Sequence, residues 1–521
     1  MNQVSVTFIP RIQGAAFWLF TAILLVLLTA LPALAQEQPI DLNGVAPATL
    51  TDEMLADIDA YTADTMQRFG IPGATIAIVQ NGEIVHLNGF GVREMGSDAT
   101  VTPDTLFMIG SVPKSMTATM IGTLVDEGVL TWDTPVVDVL PTFALSNPQS
   151  TRSVTFRNLL SMSAGIPAFD TPIFVEPYSP EQIIESLDDL PVFAAPGEGY
   201  AYSNQGYATA GFGAAVAAGA TYGEDIYETY ARLMQERVFD PIGMQQTTFD
   251  FNAGVSSANV ASAHGFDLAN GGYSVVPFEL EHGAFSIIPA GGSTWSTAED
   301  LGRYLVFQMN NGMTADGTQV ISEESLLEMR IPHSLTPNGN YFGLGWIVLP
   351  LYHGLENIDY GGQNLGYTSY VNFLPAANIG IVVLTNRVGG DSYTHAVTQY
   401  VYETAFGLEH EADTAFTAEE EGLQGMIQGF SSQIEAHVEP ESVTSYLGDY
   451  EHSATVHFNE AGEFVMSIEF GDFPLYGLPG QQGMFALGRA LGLFVQFDEN
   501  GQSFTISAGE GQPTMTAARI G

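Results

Sequence analysis

Between Thr51 and Phe69 the apolar residues Met54, Leu55, Ile58, Tyr61 and Met66 fall at the spacing of one helix face, which predicts a helix there. Beyond it the period changes. "GATIAIVQNGEIVHLNGFG", Gly73 to Gly91, holds two β-rich runs around Asn81-Gly82, a dipeptide suited to a two-residue hairpin turn, and predicts an antiparallel pair. From about Met108 to Arg330, helical stretches such as "SPEQIIESLDDL" and "EDIYETYARLMQERVF" alternate with loops rich in glycine and proline. Strand composition returns near Tyr341 to Asn386, in "YFGLGWIVLP", "TSYVNFLPA" and "NIGIVVLTN". Strands at both ends with helices between predict an α+β class whose sheet is assembled from distant segments.

Residues 408–440, containing "TAEEEG", read as an acidic linker with room for one helix. After it, strict alternation puts Phe464, Met466, Ile468 and Phe470 on one face, and "LFVQFDENGQSFTI" sets a turn between two alternating runs. This predicts a small all-β domain over 441–521. At the other end, Arg11 precedes an apolar run from Ala15 to Leu31 and then "LPALAQEQ", where Ala33 and Ala35 form a small-residue cleavage pattern. Residues 1–35 therefore read as a secretory signal, 36–50 as a polar linker and 51–407 as the main domain. An uncleaved apolar run would instead anchor the chain to a membrane.

Composition narrows the possible partners. A chain of 521 residues with 45% apolar residues can bury a sizeable core. Its 13 basic residues face 59 acidic ones, and the formal net charge of -46 reflects a shortage of bases, since charged residues make up only 14%. A surface this acidic repels phosphate backbones and anionic lipid heads, which argues against a nucleic-acid partner and a polybasic membrane contact. The chain has no cysteine, so disulfides and thiolate metal sites are excluded. Its ten histidines show no metal-ligand spacing, there is no HExxH, and no Gly-x-Ser-x-Gly elbow, Walker A loop or full dinucleotide fingerprint occurs.

Three constellations remain. In "MIGSVPKSMTATMIGTLVDEG" the single lysine of the chain, Lys114, follows Ser111 by one helical turn, with Pro113 suited to a first turn and Gly128 to a C-terminal stop. A serine alcohol is a weak nucleophile until a neighbouring base takes its proton, and a helix N-terminus favours charge developing on an attacked carbonyl oxygen. Arginine cannot give up its proton, so a chain that otherwise uses only arginine retains lysine here for chemistry. The second constellation, "APGEGYAYSNQGYATAGFG", carries Tyr202 as a base or proton shuttle and Asn204 as a donor to a substrate carbonyl or an orienter of Lys114. The third, "DYGGQNLGYTSYVNFLP", brings Tyr360, Gly361 and Gly362 into a strand whose edge a substrate backbone can approach.

These residues, with "VTFRNLLSMSAGIP", "VFDPIGMQQTTFD", "PAGGSTWSTAEDLGRYL" and "IGIVVLTN" in the same order, resemble the serine β-lactamase and penicillin-binding protein superfamily. Within it the likeness is to the class C β-lactamase, DD-peptidase and family VIII esterase branch, over about Thr51 to Phe406. The resemblance implies a β-lactamase/transpeptidase-like fold, an antiparallel sheet plus a helical lobe, followed by a lipocalin-like β-domain. It implies that Ser111 is acylated, that Lys114 and Tyr202 share its proton, and that Asn204 meets the acyl-side amide or carbonyl. The N–H groups of Ser111 and Gln363 would form the oxyanion hole, and no metal or organic cofactor is expected. Two departures stand out. The third motif usually begins with lysine or histidine, and Tyr360 removes the cation that binds a substrate carboxylate. The histidine often seen in the "LLTHTSG" segment is absent from "LLSMSAGIP".

The leading expectation is an exported serine hydrolase, periplasmic or extracellular, acting on a neutral small-molecule ester or amide. A D-amino-acid peptidase, DD-carboxypeptidase or β-lactamase is the alternative enzyme. A catalytically silent peptidoglycan- or ligand-binding module is the alternative outside catalysis, and the intact Ser111, Lys114 and Tyr202 argue against it.

Overall fold

Thr51 caps the first helix, its hydroxyl accepting a hydrogen bond from the Met54 N–H, and α1 runs over Asp52–Arg68 with Asp52 and Glu53 in its first turn. This computed structural model describes residues 40–167, 178–280, 294–489, 491–507 and 515–520. The expected signal segment lies outside the described residues. Among those that are described, no helix is long and apolar enough to cross a membrane.

The hairpin forms as its sequence predicts. β1 (Gly73–Gln80) and β2 (Glu83–Gly91) pair antiparallel around Asn81 and Gly82, whose φ angles of 55° and 81° are the left-handed pair that a tight hairpin turn requires. The rest of the sheet comes from the far end of the domain: β3 (Ser334–Leu335), β4 (Tyr341–Phe342), β5 (Ile347–Tyr352), β6 (Leu355–Gln363), β7 (Thr368–Leu374) and β8 (Ile379–Thr385). The strand order is β2-β1-β8-β7-β6-β5-β4-β3, antiparallel throughout. β1 and β8 sit side by side although some 300 residues of chain separate them.

Every residue of β1 is buried, because both faces of the sheet are covered. Ala77 and Val79 join one core, with the helical lobe and α4 (Ala298–Met309). Ile76 and Ile78 join another, beneath α1 and α5 (Asp391–Phe406). The result is an α+β sandwich of helices on a central antiparallel sheet. Residues 40–50 have no regular structure, but they are docked: Leu42 and Leu50 are buried, and the Leu42 and Ala48 N–H groups donate to the carbonyls of His353 and Ala405 at 2.7 and 2.8 Å.

The acidic stretch after α5 holds a 20-residue helix, α6 (Ala412–Ser431), packed on α5. Its Glu420 meets Arg387, which is fully buried, in a two-pronged ion pair at 2.9 and 3.1 Å. The polar faces of α6 dominate its composition, so the buried Ala412, Glu420 and Ile427 are hard to see in sequence.

The C-terminal strands, from Gly448–Tyr450 to Met515–Ala518, follow one another as an eight-stranded antiparallel meander. The Glu451 N–H donates to Ala518 O and the Ile520 N–H to Asp449 O, both at 2.8 Å, so the last strand returns to the first and the barrel is nearly closed. Its centre is filled by aromatic rings, Phe485 lying 5.1 Å from Phe464 and 5.8 Å from Phe497 between centroids. The barrel touches the main domain where Arg489 donates to the Val275 carbonyl at 3.1 Å.

Candidate active site

The helix that follows Ser111, α2 (Pro113–Asp126), is buried on every side from Pro113 to Leu124. Apart from Lys114 its buried residues are apolar or small, and its threonines turn back on the helix: Thr117 and Thr119 donate to Pro113 O and Ser115 O at 3.0 Å and also meet the hydroxyls of Tyr230 and Tyr304. A helix locked into the core in this way gives its first turn a fixed position. Pro113 begins it, and Lys114 N–H donates to Ser111 O at 3.0 Å.

Lys114 is fully buried, and its Nζ donates to Ser111 Oγ at 2.9 Å. The same ammonium lies 4.8 Å from the centroid of the Tyr202 ring and 5.9 Å from that of Tyr207. Tyr202 comes from the other side of the cleft, just before α3 (Asn204–Ala217), and its hydroxyl donates to Ser111 Oγ at 2.7 Å. Tyr207, one turn into α3, donates to Lys114 O at 2.7 Å. Burial, with Tyr230, Tyr304 and Tyr202 nearby, pushes the Tyr207 phenol well above its ordinary value, so it stays a neutral donor.

The third segment is the end of β6. Gly361, Gly362 and Gln363 pair with Tyr370, Ser369 and Thr368 of β7, whereas β5 pairs with β6 only as far as Asp359. The nucleophile loop lies against this strand end. A Cβ on Gly362 would stand 2.2 Å from Ile109 O and 2.7 Å from Ser111 N, and one on Gly110, whose φ is +55°, would stand 2.5 Å from Gln363 N. Ser369 Oγ clamps the loop by donating to Ile109 O at 2.7 Å. The two backbone nitrogens expected to hold an oxyanion therefore belong to segments in direct contact.

A cavity of about 370 Å³ opens above Ser111, lined by Ser111, Tyr202, Asn204, Gly361, Gly362, Gln363 and Asp391. Every expected site residue except Lys114 and Tyr360 faces it, and Lys114 lies directly beneath Ser111. Tyr360 does not line the cavity. Its ring is 2% exposed and packs edge-on to Phe342 at 5.9 Å. Burial, followed by the proximity of Tyr202 and Tyr207, raises the Tyr360 phenol well above its ordinary value. Its ring is buried near Tyr202 and stands outside the described cavity lining, whereas the sequence predicts a substrate-binding residue at this position.

Two neighbours had no signal in the sequence. Tyr207 reads as one more aromatic in a small-residue helix. Asp391 reads as an ordinary acidic first-turn residue of α5, yet it lines the cavity and accepts a hydrogen bond from Gln363 Nε2.

The sequence profile described as Beta-lactamase matches residues 58–406, a span that contains all of these residues. The chain belongs to the β-lactamase family. It is 28% identical over 330 residues to "Penicillin-binding protein 4" of Amycolatopsis lactamdurans, covering 61% of this chain and 81% of that one. It is 25% identical over 364 residues to "Unguisins hydrolase ungD'" of Aspergillus campestris, covering 67% of this chain and 65% of that relative, a little under two thirds of the relative's length. Among solved structures, the octameric penicillin-binding protein homologue from Pyrococcus abyssi superposes with a TM-score of 0.60 at 21% identity, covering 90% of this chain and 100% of that one. That likeness shows the fold and extends beyond the residues matched by the family profile.

Proposed function

We propose that the protein is an exported serine hydrolase that opens, through an acyl-enzyme on Ser111, esters or amides without a carboxylate beside the scissile bond. The observation that carries this reading is the convergence of Lys114 Nζ at 2.9 Å and the Tyr202 hydroxyl at 2.7 Å on one serine oxygen at the floor of a cavity. In the reacting form the Lys114 amine is neutral and takes the Ser111 proton as Oγ bonds to the substrate carbonyl carbon. The negative charge on the carbonyl oxygen is received by the N–H groups of Ser111 and Gln363. The proton passes through Tyr202 to the departing alkoxide or amine as its bond to carbon breaks. Water then attacks the acyl-enzyme, giving its proton to the same pair and restoring the serine.

Carboxylate-bearing substrates are disfavoured: the motif position where the family resemblance implies a cation is held by Tyr360, a buried phenol, and the described residues of the cavity lining include no cation. A peptidase reading has its own support in the resemblance to "Penicillin-binding protein 4". Covalent labelling by a fluorescent penicillin, compared with ester turnover, decides between them.

Hydrolysis of p-nitrophenyl butyrate by residues 36–521 is the direct test, with Ser111→Ala and Lys114→Arg beside it. Ser111→Ala is expected to leave no turnover. Lys114→Arg preserves charge and approximate length but not basicity, so kcat is expected to fall by about 10²–10⁴-fold with the fold intact by circular dichroism. An active Lys114→Arg variant would overturn the role given to the lysine.

A further inference from the structure

Of the seven described residues lining the cavity, Asp391 is the one with a carboxyl group or a basic side chain. A first-turn aspartate stabilises any helix, and that role alone needs no contact with a cleft. Here Oδ2 also accepts from the side chain of Gln363, the residue whose backbone nitrogen lies against the nucleophile loop. The carboxylate is therefore tied to the reacting end of β6.

Among the described residues no cation forms an ion pair with Asp391, and the nearest basic groups are engaged elsewhere. Arg387 is close enough to favour the ionised form, but both its terminal nitrogens are bound to Glu420, at 2.9 and 3.1 Å, and it also donates to the Phe69 and Gly389 carbonyls. His395, one turn further along α5, stands edge-on to Tyr370 at 4.6 Å between ring centroids. Burial lowers its pKa from the ordinary 6.5, with Asp391 acting the other way. On α6, Glu419 lies near enough for its carboxylate and that of Asp391 to disfavour each other's charge. Burial raises the Asp391 carboxyl itself, and a cation from outside would relieve that cost. The chain's net charge of -46 adds a long-range field of the same sign.

We propose that Asp391 is a specificity-determining residue that selects substrates bearing a cationic group, an ammonium, beside the scissile ester or amide, and rejects those bearing a carboxylate. This deepens the hydrolase reading and rests on it. The replacement of a motif cation by Tyr360 removes attraction for carboxylates, and Asp391 reverses the preference.

Three p-nitrophenyl esters of matched shape test this: 4-(trimethylammonio)butyrate, its uncharged carbon isostere 5,5-dimethylhexanoate, and the adipate monoester. The wild-type kcat/KM is expected to favour the cationic ester over its isostere by about tenfold at low ionic strength, and the adipate to be worst. Asp391→Asn keeps an acceptor for Gln363 and is expected to collapse the cation-to-neutral ratio to about one. Asp391→Lys is expected to make the adipate the best of the three. Unchanged ratios in both variants overturn the proposal.

The same question is asked without turnover, by NMR titration of the Ser111→Ala protein with 4-(trimethylammonio)butanamide and with adipate monoamide. If no ester is hydrolysed but Ser111→Ala binds the cationic amide and Ser111→Ala/Asp391→Asn does not, the hydrolase reading fails and the cation site stands. If hydrolysis proceeds with no preference for charge, the cation site fails and the hydrolase reading stands.

Discussion

Asp359, next to Tyr360 on β6, is buried, with the Tyr370 hydroxyl donating to its Oδ2 at 2.7 Å. Burial pushes its carboxyl up to about 7, against the pull of that hydrogen bond. An unfolded chain releases this proton near pH 4, so between about pH 4 and 7 the folded state holds a proton that the unfolded state has lost, and stability falls as pH rises through that window. The loss is on the order of 4 kcal/mol at most. Asp359→Asn carries no charge at any pH, so its Tm relative to wild type is expected to climb from pH 5 to pH 8. A difference that stays constant over that range would mean Asp359 is ionised in the folded protein throughout. At this scale Lys114 was legible in sequence because the chain contains no other lysine and chemistry distinguishes lysine from arginine. Asp391 was not legible, because what makes it unusual is its neighbours and not its type.

Among elements, the contact between the nucleophile loop and the end of β6 depends on adjacent glycines that are not equivalent. A methyl group on Gly362 would strike the backbone of Ile109 and Ser111, whereas one on Gly361 meets nothing nearer than 3.8 Å. Gly362→Ala is expected to push β6 off the loop and lower kcat on p-nitrophenyl butyrate by about 10²-fold or more, the scale of losing one oxyanion donor. Gly361→Ala is expected to melt within a degree or two of wild type. Equal effects of the two substitutions would show that the close approach is not what positions Ser111. Elements set by near neighbours in sequence were legible: the β1–β2 hairpin from Asn81-Gly82, and α2 from Pro113 and its apolar run. α6 was not fully legible, since its docking depends on Arg387 reaching Glu420 across 33 residues.

For the whole molecule the dominant physical fact is the net charge of -46, from 59 acidic residues against 13 basic ones. Self-repulsion of this size opposes the compact state and is screened by salt. The Tm is expected to rise by on the order of 5 °C between 0.05 and 1 M NaCl. A flat or falling curve would mean that specific ion pairs such as Arg387–Glu420 outweigh the general repulsion. The amino-acid sequence by itself determined the α+β class, the local elements, the separate all-β end and the residue types able to form an acyl-enzyme, because periodicity, turn chemistry and nucleophile-base spacing are short-range properties of the chain. Tertiary structure alone decided that β1 lies beside β8, that Tyr360 faces the core near Tyr202 and not the cavity, and that the Asp391 carboxylate stands at the cavity wall. Each of these depends on which distant segments are brought into contact when two faces of one sheet are buried, and no local pattern encodes that.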